Sequence, residues 1–469
     1  MPRLFLTGFI LAVFAVSGVE RIYAAEINIG GEIRSRAFYT QNLSDAHGHG
    51  DDDVCPGGDL TFGTPDDTGC DDQEGFADIR FRLKVTAAQG IASGAVLVDF
   101  FNDSPGRDAA TLNTVSSGSG TGDHVLGSSG FGRSLDTVSL REGYLRVSWP
   151  VVHLVVGRYG FTLGNGLILD DSADAVSIAF PAKWATFTFS QILLDTDSRG
   201  SGNTTMYLTN INMAPYTKFK TGLFGFFLND RGPNLVMTPC VPGSTVGCPI
   251  TDFGDNQMVL SGAGWTMDFD GTAFHWGMEF DYLDGTIRTD SATVGNPVGE
   301  DISLRGINAL ARLGWNGRIL DFELTGVYGS GQDPEDFPGA GDRLNINSIS
   351  PDFVLGNILV NNETTSDRDG GSISGLSAGK MVLGWRSSPT VRVEAVGIVA
   401  RLSEKPMTGK SRYLGWEADG NLFWEIERDL HLQAGIGALF TGGGWKNLYN
   451  DPGASSTMIK GSTKLVYTF

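Results

Sequence analysis

The chain has 469 residues, 65 of them glycine, and a formal net charge of −20. A glycine share of about 14%, near twice ordinary usage, disfavours helices, and the acidic balance excludes binding to nucleic acid or a membrane surface through a basic field. After the first 20 residues no run of 18 apolar residues occurs, so any passage through a membrane has to be made by strands.

Met1-Pro2-Arg3 is positively charged, Leu4 to Val19 is almost wholly apolar, and Ala24-Ala25 supplies small residues for cleavage. This pattern predicts a signal peptide over 1–25 and a mature chain over 26–469; the competing reading is an anchoring N-terminal helix. Export places the four cysteines in an oxidising compartment, where Cys55 with Cys70 and Cys240 with Cys248 are expected as disulfides. No CxxC or zinc spacing is present. The first bridge would restrain the unfolded chain by about 3 kcal/mol.

From Glu26 onward apolar and polar residues alternate in segments of about 10 to 14 residues, a period of two. Eighteen such segments begin near residues 26, 76, 91, 135, 151, 173, 184, 204, 216, 257, 272, 301, 318, 373, 389, 413, 430 and 457. They are longer than the strands of a soluble sandwich and match tilted strands crossing a hydrocarbon core. Between Tyr413 and Arg428 one parity carries Leu414, Trp416, Ala418, Leu422, Trp424 and Ile426. The other carries Glu417, Asp419, Asn421, Glu425 and Glu427.

Connections sort by parity. After odd segments they are often long (41–75, 103–134, 230–256, 331–372), and after even segments they are tight, as at Gly90, Pro150, Asp270-Gly271 and Asn316-Gly317. Trp149, Trp184, Trp315, Trp385 and Trp424 adjoin the tight turns, and the chain ends on the alternating stretch Lys464 to Phe469. Together these predict an all-β fold. It is a transmembrane antiparallel up-and-down barrel of about 18 strands with long extracellular loops, short periplasmic turns and an aromatic girdle.

With the apolar parity facing lipid, the other lines the lumen. Basic pore-lining candidates are Arg34, Arg36, Arg80, Arg82, Lys84, Arg158, Arg312, Arg392, Lys460 and Lys464, with Lys218 and Lys220 in the same set. Acidic ones are Glu279, Asp281, Asp321, Glu323, Glu417, Asp419, Glu425 and Glu427, with Glu32, Asp99 and Glu394. Charges at this depth are tolerated against water or one another. The last strand pairs with the first on closure, so Lys460 and Lys464 join Arg34, Arg36, Arg80, Arg82 and Lys84 in a basic wall. One reading is that this wall guides anionic or polyhydroxylated solutes; the other is that the charges form ion-pair ladders that stiffen the barrel.

Residues 41–75 hold ten acids and no Lys or Arg. Asp51, Asp52, Asp53, Asp66, Asp67, Asp71 and Asp72 could coordinate calcium, although their spacing matches neither the EF-hand pattern nor a nonapeptide calcium repeat; the alternative is a solvated acidic surface. His47 and His49 make a poor transition-metal pair. No histidine has a Ser/His/Asp neighbourhood, so no enzyme and no cofactor is expected. His275 and His431 fall on the lumen parity. Gly442-Gly443-Gly444 is read as opening no helix, hence no phosphate cradle. A hydrophobic-compound transporter is set aside for want of a hatch and of a greasy lumen.

Val156-Gly157-Arg158-Tyr159 through Gly164-Asn165-Gly166, Asp170-Asp171 and Asp174-Ala175-Val176 resembles a segment of the alginate export family. Leu414-Gly415-Trp416-Glu417-Ala418-Asp419, running on to Phe440-Thr441-Gly442-Gly443, resembles its C-terminal strands. The resemblance implies an eighteen-stranded outer-membrane barrel that moves an anionic polysaccharide, with Arg158 carried over as a lumen residue.

The expected function is a porin-like channel for passive transport or export of hydrophilic solutes, saccharides or anionic saccharides, in the outer membrane of a Gram-negative bacterium. Its expected partners are outer-membrane lipid, lipopolysaccharide, the barrel assembly machinery and the solute. The alternative is a closed structural or adhesive barrel, with loops 41–75, 103–134 and 331–372 folded inward and partners met through the acidic loops.

Overall fold

The structure is a computed structural model that describes residues 26–41, 73–103, 138–196, 203–230, 257–288, 301–331, 343–349, 351, 353–360, 373–404, 411–448 and 457–469. The leader, the four cysteines and Asp51, Asp52, Asp53, Asp66, Asp67, Asp71 and Asp72 lie outside the described residues.

Long strands run in chain order as β1 (Glu26–Gln41), β2 (Gln73–Gln89), β3 (Ala92–Asp103), β4 (Val138–Ser148), β5 (His153–Leu163) and β6 (Leu169–Pro181). There follow β7 (Ala185–Thr196), β8 (Asn203–Tyr216), β9 (Phe219–Asp230), β10 (Gln257–Asp270), β11 (Phe274–Arg288), β12 (Ile302–Asn316) and β13 (Leu320–Gly329). After the three-residue β14 (Arg343–Asn345) come β15 (Leu376–Ser388), β16 (Val391–Leu402), β17 (Tyr413–Glu427), β18 (Leu430–Thr441), the short helix α1 (Gly443–Leu448) and β19 (Thr457–Thr468). The largest offset from a predicted start is four residues, at β6 (Leu169 against 173).

Eighteen of these strands form the wall, each antiparallel to its neighbours. β1 closes on β19 with Arg36 opposite Lys464, and the terminal residue locks the seam through Gly31 N to Phe469 O at 2.9 Å and Phe469 N to Gly31 O at 3.1 Å. Closure leaves no edge strand, so every strand has a ladder partner on both sides. β14 stands apart: β13 pairs directly with β15, while β14 lies parallel to β12 with Ser303 opposite Arg343. Turns at one end are tight (90–91, 149–152, 271–273, 389–390), and the connections at the other end include 42–72, 104–137, 231–256 and 330–375.

Alternation along each strand divides outside from inside. Ile29, Phe189, Phe280, Leu383, Val399 and Ile436 are exposed around the outer face, and Trp184, Trp315, Trp385 and Trp424 are exposed at the short-turn end. An apolar belt of this extent is foreign to a soluble monomer.

Three expectations are corrected here. Leu414 does not join Trp416 on the outer face: a bulge in the β16–β17 ladder passes Ala400 to Gly415 and Arg401 to Tyr413. Gly415 takes φ +141 there, and Leu414 turns inward, 4% exposed. One extra residue reverses the parity of what precedes it. The glycine run does open a helix, α1, because Trp445 is buried in an apolar cluster and Trp445 N bonds Gly442 O at 3.1 Å. Nor does the lumen lack apolar filling. One interior cluster gathers Phe161, Leu163, Ile192, Met206, Phe226 and Leu260. A second packs Leu355, Ile358 and Leu359 of the β14–β15 connection against Val396, Ile398 and Leu439 of the wall. Both lie toward the long-loop end.

Candidate functional site

The lumen is built from three parts: a basic wall, an acidic face across from it, and an inward-folded segment tied to the wall between them. Closure brings the cations of β19, β1 and β2 side by side. Arg34 stands opposite Arg80, Glu32 opposite Arg82 and Gly30 opposite Lys84, while Arg36 faces Lys464 and Thr40 faces Lys460. Alternation puts all seven cations on the inner face. Part of their charge is balanced locally: Arg80 Nη2 lies 2.5 Å from Glu32 Oε1. Arg82 grips Asp99 with two nitrogens, at 2.5 and 2.8 Å, and Arg141 reaches the same carboxylate at 3.0 Å. Bidentate pairing of this kind fixes geometry as well as charge.

Halfway round the barrel, β10 and β11 present acids to that wall. Glu279 is 3% and Asp281 0% exposed. Closer to the short turns the same face is mixed and wetter: Arg312 Nη2 pairs with Asp268 at 2.7 Å, and His275 Nε2 lies 3.7 Å from Glu323. These residues, with Lys218 and Lys220, line one cleft. Beside them Asp321 is held by Arg386 at 3.1 Å and Arg392 at 2.5 Å, and Arg392 also meets Glu394 at 2.8 Å. Glu425 and His431 line a neighbouring cleft with Arg392, and Glu427 sits beyond a second bulge next to the β17–β18 turn.

The inward segment is held by charge-assisted hydrogen bonds. Its turn closes through Leu355 N to Val360 O at 3.0 Å and Gly356 N to Leu359 O at 2.9 Å. The backbone N–H groups of Ile358 and Leu359 donate to the two oxygens of Glu417, both at 2.8 Å. Asn357 N donates to Asp419 at 3.2 Å, and Lys460 Nζ donates to the Asn357 carbonyl at 2.5 Å. Glu417, Asp419 and Lys460 are therefore anchors of an internal strap as well as members of the lining. A second attachment runs through asparagines. Asn347 Nδ2 donates to Asn308 Oδ1 at 2.9 Å and Ile307 O at 2.9 Å, and Asn308 Nδ2 donates to Asn347 O at 2.7 Å. Ile349 N reaches Ile168 O at 2.8 Å, so the strap meets the β5–β6 turn across the lumen.

Arg158 is on the other side of the wall. Its neighbours Phe161 and Leu163 belong to the interior cluster, Tyr159 bonds the buried Ser177, and Val156 is exposed. Arg158 instead pairs at 3.8 Å with Asp174, whose side chain is half exposed. The inversion has a simple cause: here the inward set is apolar, and a one-residue error in parity exchanges the two faces. The sequence reading also missed Asn308, Asn347 and Asn357, which sit at strand positions or in an aperiodic loop with no spacing signal.

A closed antiparallel barrel of eighteen strands, with tight turns at one end, a charged interior and a segment folded into the bore, defines the fold of outer-membrane porins. Among solved structures it resembles OccK9 (OpdG) of Pseudomonas aeruginosa, with a TM-score of 0.52 at 11% identity over 95% of this chain and 98% of that one. A BenF-like porin from Pseudomonas fluorescens Pf-5 gives a TM-score of 0.52 at 10% identity, again over 95% and 98%. OccK8 (OprE) of Pseudomonas aeruginosa gives 0.50 at 8%, over 95% and 98%. No family model and no curated protein matches the chain, so the motif resemblance to the alginate export family gains no support.

Proposed function

We propose that this chain is a passive channel in the outer membrane of a Gram-negative bacterium, exported by the leader 1–25, that conducts small hydrophilic solutes with a preference for anions, anionic saccharides included. The observation that carries this reading is the run of seven cations across β19, β1 and β2. Among them Lys84 has no ion pair among the described residues, so the wall presents free positive charge to the bore. A cluster of one sign in a low-dielectric channel concentrates counter-ions. The tight turns then face the periplasm, and lipid with its lipopolysaccharide contacts the apolar belt.

Planar bilayers test it. A reversal potential on the anion side in a KCl gradient is expected, and clear cation selectivity would sink the proposal. The anchored strap and the apolar filling favour a second reading, a barrel closed in its resting state whose loops meet a partner. Absence of conductance from the purified barrel, persisting after deletion of residues 353–360, would establish that reading instead. We also infer disulfides Cys55–Cys70 and Cys240–Cys248, and calcium on the acidic loop. Mass spectrometry of the unreduced protein tests the first, and calcium content before and after deletion of residues 45–72 tests the second.

A further inference from the structure

Alternation along β16 puts Val393 and Val399 on the outer face, both exposed, and Ala400 on the inner face, 1% exposed. Arg401, two residues beyond Val399, is therefore an outward-facing cation at the long-loop end of its strand. Ladder register extends it into a row: Tyr328 lies opposite Ser377, Ser377 opposite Arg401, and Arg401 opposite Tyr413. Both tyrosines are exposed. Beneath this polar row comes an apolar step, because Val399 lies opposite Trp416 and both are exposed. The height of the row follows from Val393, which pairs with Trp385 of the short-turn girdle. From there the strand climbs about 20 Å along the membrane normal to Arg401 at ordinary tilt. That is the upper border of the apolar belt, level with the headgroups of the outer leaflet.

Other outward-facing arginines are neutralised within the chain. Arg305 pairs with Asp284 at 3.3 Å and Arg158 with Asp174 at 3.8 Å. Arg401 has no carboxylate partner among the described residues, and Glu404, three residues on, pairs with Arg412 at 3.8 Å. We propose that Tyr328, Ser377, Arg401 and Tyr413 bind a phosphate of the glycolipid of the outer leaflet, a site that rests on the outer-membrane reading above. A guanidinium fork matches two phosphate oxygens at once. The tyrosine and serine hydroxyls donate to the remaining oxygens, and acyl chains lie along Val399 and Trp416. This order of surfaces fits an amphiphile with an anionic head; a soluble phosphate would leave the apolar step uncovered.

The test uses the full-length barrel in detergent without divalent cations, bisphosphorylated lipid A as the probe, and native mass spectrometry to read bound lipid. Wild type should bind about fivefold more tightly than Arg401→Gln, the effect of one basic residue at a charged lipid surface. Arg305→Gln, whose cation is already paired, should match wild type. Dephosphorylated lipid A should bind wild type as weakly as the phosphorylated lipid binds Arg401→Gln. Equal binding of the two lipids by wild type overturns the proposal without any variant having to fold. So does Arg401→Gln binding like wild type, and displacement of the lipid by an equal concentration of inorganic phosphate overturns the lipid as occupant. A barrel that fails to insert into lipid vesicles overturns the membrane reading and the site together, whereas insertion with equal affinities overturns the site alone.

Discussion

Charge does different work in the two halves of the lumen. Toward the short turns, ion pairs such as Arg312–Asp268 keep a third or more of each side chain exposed and line a cleft. Toward the long loops, Glu417 and Asp419 are buried; Glu417 gives both oxygens and Asp419 one to backbone N–H groups of the strap. The physical difference is the dielectric. A carboxylate in water gains little from a partner and can exchange it for a solute, whereas a buried one must be matched and so becomes a structural tie. Charge on the inner face is thus two populations, one wet and exchangeable, the other buried and structural.

Four variants separate these populations, with the largest effect expected from the buried anchor. Glu417→Ala leaves the N–H groups of Ile358 and Leu359 without acceptors, a cost of about 3 kcal/mol or more. The strap should detach, read as faster hydrogen exchange over 355–360 together with a higher single-channel conductance. If conductance and exchange both stay at wild-type values, the strap does not depend on that carboxylate. Next comes Leu359→Ala, which removes a side chain 5% exposed in the apolar cluster. It should cost about 2–5 kcal/mol, visible as a lower midpoint in urea with anion selectivity retained.

The wet half should answer in selectivity and hardly at all in stability. Replacing Arg36, Lys84 and Lys464 together by Glu reverses the exposed part of the basic wall. It should shift the chloride-to-potassium permeability ratio by about threefold or more toward cations, measured from reversal potentials. Smallest of all is Asp268→Asn. Its pair with Arg312 is a third exposed on both sides, so loss of the ion pair should change stability by about 1 kcal/mol at most. A thermal midpoint lowered as far as that of Leu359→Ala would place this pair among the structural ties and erase the distinction.

Period-two alternation, the sorting of long and short connections and the aromatic terminus were enough to read a barrel of eighteen strands from the residues. They also imply that the first and last strands pair, which is the register β1 makes with β19. Strand formation and lipid-facing periodicity are local properties, written every second residue and repeated around the wall. Other features have no local signature. Gly415 is one glycine among 65, yet its bulge sends Leu414 inward. Arg158 reads as a pore residue only while the apolar set is assumed to face out, and Phe161 and Leu163 reverse that by packing inward. The alternation itself is symmetric between the two faces of a wall; which face is wet depends on what fills the bore. That filling was decided by the β13–β15 connection, whose turn has no periodicity of its own and takes its place from Glu417, Asp419 and Lys460, about 60 to 100 residues further along the chain. Sequence therefore determined the wall, and tertiary structure alone decided what the wall encloses, because side chains and backbone meeting across the lumen are adjacent only after the barrel has closed.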